Sequence, residues 1–413
     1  MTRAASLCLT VPLALLVACS ERPTSPPVSS LSAADAPSAL KREDRPELAT
    51  IVWETKASDV VRVRLLNPIV AARAYALVGL AQYAAADAAK KEERRGAVAA
   101  ASVQVLSYLS AADAASLEAQ LTSEGAVGTD DERAAFARGV TVGRAMGDVI
   151  VARGRADGFA NANGTPKVWD PSTLPVGPTI WFMDAGVAPP PAGFQFPFMR
   201  PYFLTSADQF RSVPPPTDLT GPVAEVIALV NNRTPEQAAM AVALNLSTGT
   251  ITPAGDWDQR AMVLIRKRNM DERAAAHVFA LLNSAIIDAV IGCWDTKFEY
   301  LVLRPWQVAP ADLPNSKLLI GRPNHPSYPS GHSCVSGAAA AVLTRFFPEE
   351  RNDHVQHMID NGNSRIYAGI HYRFDVEAGQ ALGRSAAEWA IHYDRTNGLL
   401  AALLPGYRGN DDR

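Results

Sequence analysis

Cysteine is scarce in this 413-residue chain: four are present, Cys8, Cys19, Cys293 and Cys334. That number is too small for a disulfide scaffold, so a buried apolar core must hold the fold. The length is ample for one large domain or two ordinary ones. A surplus of charge of either sign is also missing. Thirty-nine basic residues stand against 42 acidic ones, for a net charge of −3. No basic stripe interleaved with aromatics appears, which argues against a nucleic-acid partner. Any anionic ligand must therefore be held by a few placed cations, not by an overall field. Beyond the first residues no string of long apolar segments occurs, which argues against a multi-spanning membrane protein.

The N-terminus predicts export. Arg3 precedes an apolar run from Leu7 to Ala18 that is too short to remain as a membrane span. The run closes as Leu16-Val17-Ala18-Cys19, similar to a bacterial lipobox. Residues 1–18 then read as a signal peptide, Cys19 as the lipidated residue, and 19–46 as a Pro/Ser-rich tether. Ser20, where an aspartate would retain the protein, resembles outer-membrane sorting. The expectation is a protein facing the periplasm, held to the membrane by its lipid anchor only. Export permits a disulfide between Cys293 and Cys334, and two buried free thiols fit the sequence as well.

Residues 47–160 read as an Ala-rich helical bundle, with Leu65, Ile69, Ala72, Ala76, Leu80 and Tyr83 at helical spacing. Residues 161–218 differ, because closely spaced prolines from Pro171 to Pro216 forbid long helices. Trp169, Trp181, Phe182, Phe194, Phe196, Phe198 and Tyr202 predict an ordered connection, since exposing them all is costly. Helical patterns resume over 219–400, and 401–413 is a tail. The two bundles look related: Gly139, Gly143 and Arg144 recur as Gly379, Gly383 and Arg384 in the same register. The expected fold is all-α, two related helical bundles with a Pro-rich excursion between them.

Three segments of the second bundle suit a tetrahedral oxyanion. Lys297 and Arg304-Pro305 are nearly two helical turns apart, so a helix that Pro305 stops would carry both cations on one face. Arg304 supplies a planar fork and Lys297 a movable point charge. Pro329-Ser330-Gly331-His332 leads from a Pro-constrained turn into an apolar helical run, placing Ser330 and Gly331 at a helix N-terminus that favours anions. A serine there also serves as a plain N-cap. His332 sits at the mouth as an acid or base. In the third segment, Arg365 adds a second guanidinium, and Asp375, one helical turn after His371, fixes the tautomer of that imidazole.

Together these residues form Lys-x6-Arg-Pro, Pro-Ser-Gly-His and Ser-Arg-x5-His-x3-Asp, in that order. The pattern resembles the three-part signature of the vanadium haloperoxidase and type 2 phosphatidic acid phosphatase (PAP2) superfamily. The resemblance implies an enzyme with catalytic His332, His371 and Asp375, and with Lys297, Arg304, Ser330, Gly331 and Arg365 binding vanadate or phosphate. In haloperoxidases, vanadate is the cofactor, bound here by His371, and the substrates are hydrogen peroxide and halide. In phosphatases, His371 would become a phosphohistidine during hydrolysis of a phosphomonoester, with no cofactor. Trp294, and His325 ahead of Pro326-Ser327-Tyr328, resemble the halide side of haloperoxidases and favour bromide or iodide. The expectation is a vanadium-dependent haloperoxidase, the alternative a periplasmic acid phosphatase, and the third reading a non-catalytic oxyanion-binding lipoprotein. The resemblance also implies a homodimer. His354, His357 and His392 read as exposed or locally satisfied. Glu132, Asp258 and Asp288 are candidates to brace a pocket arginine.

Overall fold

Helix starts are written into the chain as caps. Asn67 accepts from Val70 N at 3.1 Å with Pro68 in the first turn, opening α2 (Pro68–Ala88). Thr129 and Glu132 form a capping box for α5 (Asp130–Arg155). Asp271 accepts from Ala274 N at 2.9 Å at the head of α9 (Glu272–Tyr300). In the computed structural model the described residues are 46–160, 170 and 174–404. Cys19 with its lipobox, nearly all of the tether, Trp169 and residues 405–413 lie outside them.

The described residues are helical, with no strand beyond the single bridge Ile180–Val302. The remaining helices are α1 (Ala49–Val63), α3 (Arg94–Leu109), α4 (Ala114–Gly125), α6 (Thr220–Asn232), α7 (Pro235–Ala243) and α8 (Thr252–Arg268). They are followed by α10 (Pro305–Val308), α11 (Gly331–Phe346), α12 (Arg351–Tyr367), α13 (Arg373–Asn397) and α14 (Leu399–Leu403). Two helices, α2 and α9, are long and apolar enough to cross a membrane, yet 94% and 89% of their apolar windows are buried in the protein. They are apolar all round because they form the centre of the fold. A Cβ at Gly79 would stand 2.9 Å from Phe279 O, so glycine lets α2 approach α9.

The internal repeat is visible as one crossing made twice. A Cβ at Gly143 of α5 would lie 2.1 Å from Ala97 O of α3, and one at Gly383 of α13 would lie 2.1 Å from Cys334 O of α11. One turn earlier, Gly139 meets Glu93 O and Gly379 meets Ser330 O. Glu93 thus stands in the first bundle where Ser330 stands in the second. Its carboxylate pairs with Arg138 at 2.8 Å, so the position that could face an anion already holds one of the protein's own.

The excursion packs Trp181, Phe196 and Tyr202 into the fold, while Phe182 and Phe198 remain exposed, against the expectation that its aromatics are covered. Three backbone N–H groups, of Tyr202, Phe203 and Leu204, donate to buried Asp288, tying the excursion to α9. The helical expectation over 219–400 fails between α10 and α11, where the chain makes only a short 3-10 turn at Asn315–Lys317.

Candidate active site

The first motif segment is built differently from expectation. Leu301, with φ 47°, ends α9 four residues before Pro305 would have stopped it. Arg304 has extended backbone geometry and is the N-cap of α10. Lys297 and Arg304 therefore meet through a chain reversal, not along one helix face. Nor is Lys297 a movable charge. Its Nζ donates to Pro326 O at 2.9 Å, to Ser327 O at 3.0 Å and to Pro329 O, which clamps the loop ahead of α11.

Ser330 is the N-cap residue of α11, yet its hydroxyl makes no cap hydrogen bond and has no protein partner although buried. A plain capping role does not describe it. Its backbone N–H donates to Asp375 O at 2.9 Å, which locks the N-terminus of α11 to the first turn of α13. His371 lies just ahead of α13 instead of within it. Asp375 is the third residue of that helix and accepts from Tyr372 N at 3.0 Å and His371 Nδ1 at 2.8 Å. The pairing is as expected but comes from a helix start, not from one turn of helix. Ser327, which the sequence did not single out, donates to the same Asp375 oxygen at 2.5 Å. A serine three residues before another carries no signal of such a contact.

The Nδ1–H of His371 faces Asp375, so its Nε2 carries the lone pair, and Arg304 Nη1 donates to it at 3.0 Å. The same guanidinium donates to Ile370 O at 2.8 Å, to His325 O at 3.0 Å and to His325 Nδ1 at 3.0 Å. Arg365 donates to Ser364 Oγ at 2.9 Å and Ala241 O at 3.1 Å, leaving its buried Nη1 without a protein partner. His332 Nε2 meets Asn245 O at 3.0 Å, so the end of α7 and the loop after it hold both Arg365 and His332.

Burial governs the electrostatics. It pushes Lys297 down to about 8, Arg304 to about 10 and Arg365 to about 9. Burial, then the charges of Arg304 and Lys297, hold His371 well below its usual range, and burial with Arg365 does the same for His332. Asp375 is raised to about 6 by burial, against its hydrogen bonds to Ser327 and Tyr372. Among the described residues no carboxylate forms an ion pair with Lys297, Arg304 or Arg365, since Asp375 is paired with His371. Three uncompensated buried cations, an orphaned guanidinium nitrogen and an orphaned hydroxyl define a site that an oxyanion completes.

The cavity in front of them measures about 350 Å³ and is walled by Trp294, His325, Gly331, His332, Arg365 and His371. Lys297, Arg304, Ser330 and Asp375 stand behind this wall, each 0% exposed. Trp294 lies against His325 with ring centroids 5.1 Å apart and the planes tilted by 48°, and its Nε1 donates to Ala192 O at 2.7 Å, so the excursion forms one side of the cavity. Arg322 and Asn324 line the rim and were not anticipated.

None of the three suggested acids braces a pocket arginine. Glu132 caps α5, Asp258 accepts from Asn283, and Asp288 holds the excursion. His354 is buried with its Nδ1 3.4 Å from Thr344 Oγ1, and His357 pairs with Asp256 at 2.6 Å. Cys293 and Cys334 are both buried free thiols.

With the geometry in place, comparison with known proteins defines the class. Residues 273–399, which hold every motif residue, match the PAP2 superfamily model. The fold of the whole described chain is that of the vanadium haloperoxidases. A bacterial vanadium-dependent iodoperoxidase superposes with a TM-score of 0.73 at 23% identity, covering 85% of this chain and 98% of that one. A bacterial vanadium-dependent chloroperoxidase superposes at 0.64 and 16% identity, covering 80% and 95%. By sequence, the chain is similar to a non-specific acid phosphatase of Providencia stuartii, 29% identical over 28% of this chain and 47% of the relative. It is also similar to a lipid A 1-phosphatase of Rhizobium etli, 41% identical over 19% of this chain and 34% of the relative. The matches thus span about half or less of these curated relatives.

Proposed function

We propose that this chain is a vanadate-dependent haloperoxidase that prefers bromide or iodide to chloride. The observation that carries the reading is the Trp294–His325 pair beside His371 on the cavity wall. The Trp294 N–H is engaged by Ala192 O and a His325 nitrogen by Arg304, so both present desolvated aromatic surface. Such a wall suits large polarisable halides, which give up hydration more readily than chloride. The residues fit vanadate, because Arg365 Nη1 and Ser330 Oγ are buried without protein partners and the site cations lack counter-carboxylates. His371 Nε2 would hold it, with Arg304, Arg365, Ser330 and Gly331 around its oxygens. When bound, vanadate activates hydrogen peroxide toward halide oxidation. The chain's own part is to keep His371 neutral with its Nε2 unprotonated, to fix that ring through Asp375, and to hold His332 at the mouth for proton transfer.

A second reading, phosphomonoester hydrolysis, is favoured by the same neutral His371 facing an oxyanion site with His332 beside it. Nε2 would attack phosphorus while the bond to the leaving alcohol breaks, and His332 would protonate that oxygen. Water would then release phosphate from His371. The lipobox-like segment supports export and lipid attachment at Cys19 as a further part of this proposal, and family resemblance supports a homodimer.

The test is to incubate the metal-free protein with orthovanadate and measure peroxide-dependent bromination of a phenolic dye, with p-nitrophenyl phosphate hydrolysis assayed without vanadate. Bromination that requires vanadate and is lost in His371→Ala is the expected result. Phosphate release blocked by vanadate, without bromination, would replace the first reading with the second.

A further inference from the structure

Away from the oxyanion cavity the core holds a group of acidic and amide oxygens that no described function uses. Glu54 of α1 and Asp258 of α8 are both 0% exposed, and neither forms an ion pair among the described residues. Both Glu54 oxygens and Asp258 Oδ2 lack protein hydrogen-bond partners. Tyr75 OH donates to Ile251 O at 3.0 Å and meets Ser58 Oγ at 3.3 Å, and a Cβ at Gly255 would stand 2.5 Å from that hydroxyl. Ser58 is one turn after Glu54 on α1, and Asp258 is one turn after Gly255 on α8. Both acids therefore flank the Tyr75 hydroxyl on facing helices. The proximity is reflected in Glu54, which burial and then the charge of Asp258 raise well above its usual range, and in Asp258, raised to about 8 by burial.

Two neutral side chains add oxygens. Asn283 of α9 donates to Asp258 Oδ1 at 2.9 Å, and its own carbonyl oxygen, fully buried in the cluster, has no partner. Gln82 of α2 donates to Thr50 O at 3.4 Å and to Ser102 Oγ at 3.2 Å, one turn from Glu54, and its carbonyl oxygen is likewise buried and unpartnered. That makes five orphaned oxygens and no cationic side chain. Protonating both acids supplies two donors, and each donor consumes one of the five oxygens. Among these four side chains, two of the remaining three oxygens are then satisfied and one is left without a donor. A single cation can take up the oxygens together.

We propose that a divalent cation of the calcium class binds between α1, α2, α8 and α9, held by Glu54, Asp258, Asn283 and Gln82. The donor set is oxygen only, with two carboxylates to match a double positive charge and amide carbonyls to fill the shell, which selects a hard cation. Among the described residues no group of three or more His, Cys, Asp or Glu side chains is placed to hold a metal, so a thiophilic or imidazole-loving ion has no equivalent site. The four ligands come from both bundles, and the ion would cross-link α1 and α2 to α8 and α9. Its role is structural and independent of the reaction at His371.

The experiment uses the full chain, freed of metal with a chelator and passed into metal-free buffer. Elemental analysis after re-addition of calcium chloride and gel filtration is expected to give one calcium per chain. The melting temperature is expected to rise by several degrees with calcium and not with an equal ionic strength of sodium chloride. The double variant Glu54→Gln with Asp258→Asn keeps size and removes charge, and should bind no calcium and melt at one temperature with or without it. Should that variant fail to fold, Asn283→Asp adds a carboxylate and should bind calcium more tightly than the parent. Absence of calcium after gel filtration, or a melting temperature unmoved by chelator and calcium alike, overturns the proposal and leaves a neutral hydrogen-bonded acid pair.

Discussion

Replacing Arg365 with methionine should stabilise the empty protein while weakening its hold on anions. Arg365 is 1% exposed, its Nη1 has no protein partner, and burial holds it down to about 9. A depression of some three pH units corresponds to roughly 4–5 kcal/mol for keeping the charge in the fold, at about 1.36 kcal/mol per unit. Replacing a poorly compensated buried charge by an apolar chain of similar length recovers on the order of 1–4 kcal/mol. The two hydrogen bonds lost, to Ser364 Oγ and Ala241 O, offset part of that gain. The net expectation is a melting temperature about 1–5 °C above the parent without ligand. A charge-assisted hydrogen bond contributes about 1.5–3 kcal/mol, so the dissociation constant for orthovanadate or phosphate should rise roughly 10- to 150-fold. Thermal melts with and without anion read both effects. If the variant melts lower when empty and binds anion as the parent does, Arg365 is a structural residue and the logic of the uncompensated cation is wrong.

Ser327→Ala removes one of three donors on the Asp375 oxygen that orients His371. It should lower kcat about 10- to 100-fold with KM nearly unchanged, and an equal loss in both parameters would contradict a positioning role. Anion affinity should fall as pH rises through about 8, because Lys297 is held there by burial and is neutral above it; phosphate or vanadate titration at pH 6.5, 8 and 9.5 checks the trend, and a flat profile refutes it. Gly383→Ala would put a Cβ 2.1 Å from Cys334 O, forcing α13 off α11. A loss of at least 1–3 kcal/mol in denaturant unfolding is expected, and the matched change Gly143→Ala should cost a similar amount if the two bundles are true repeats.

Much of the site was legible because oxyanion chemistry demands particular residue types in a particular order. Lys297, Arg304, Ser330, Arg365, His371 and Asp375 converge as their motif predicts. What failed was local geometry. Arg304 was expected on the helix of Lys297, but Leu301 turns the chain through a left-handed residue, a conformation its side chain does not announce. His371 and Asp375 were expected on one helix, but the same spacing is also met at a helix start, where Asp375 caps α13. His354 was expected to be exposed or locally satisfied, and only packing decides that it is buried with its Nδ1 3.4 Å from Thr344 Oγ1.

Sequence alone determined the fold class, the repeated glycine pattern and which motif residues gather around the cavity. Helical periodicity, caps, paired glycines and the charged motif are all encoded within short stretches of chain. Only the tertiary structure decided how those residues are used. It gave all the donors of Lys297 to a loop, left Ser330 Oγ and Arg365 Nη1 free, recruited Ser327, and set Glu54 against Asp258. Each of those outcomes depends on which polar atoms are buried beside which partners. Residues far apart in the chain supply those partners, so no local pattern can contain the answer.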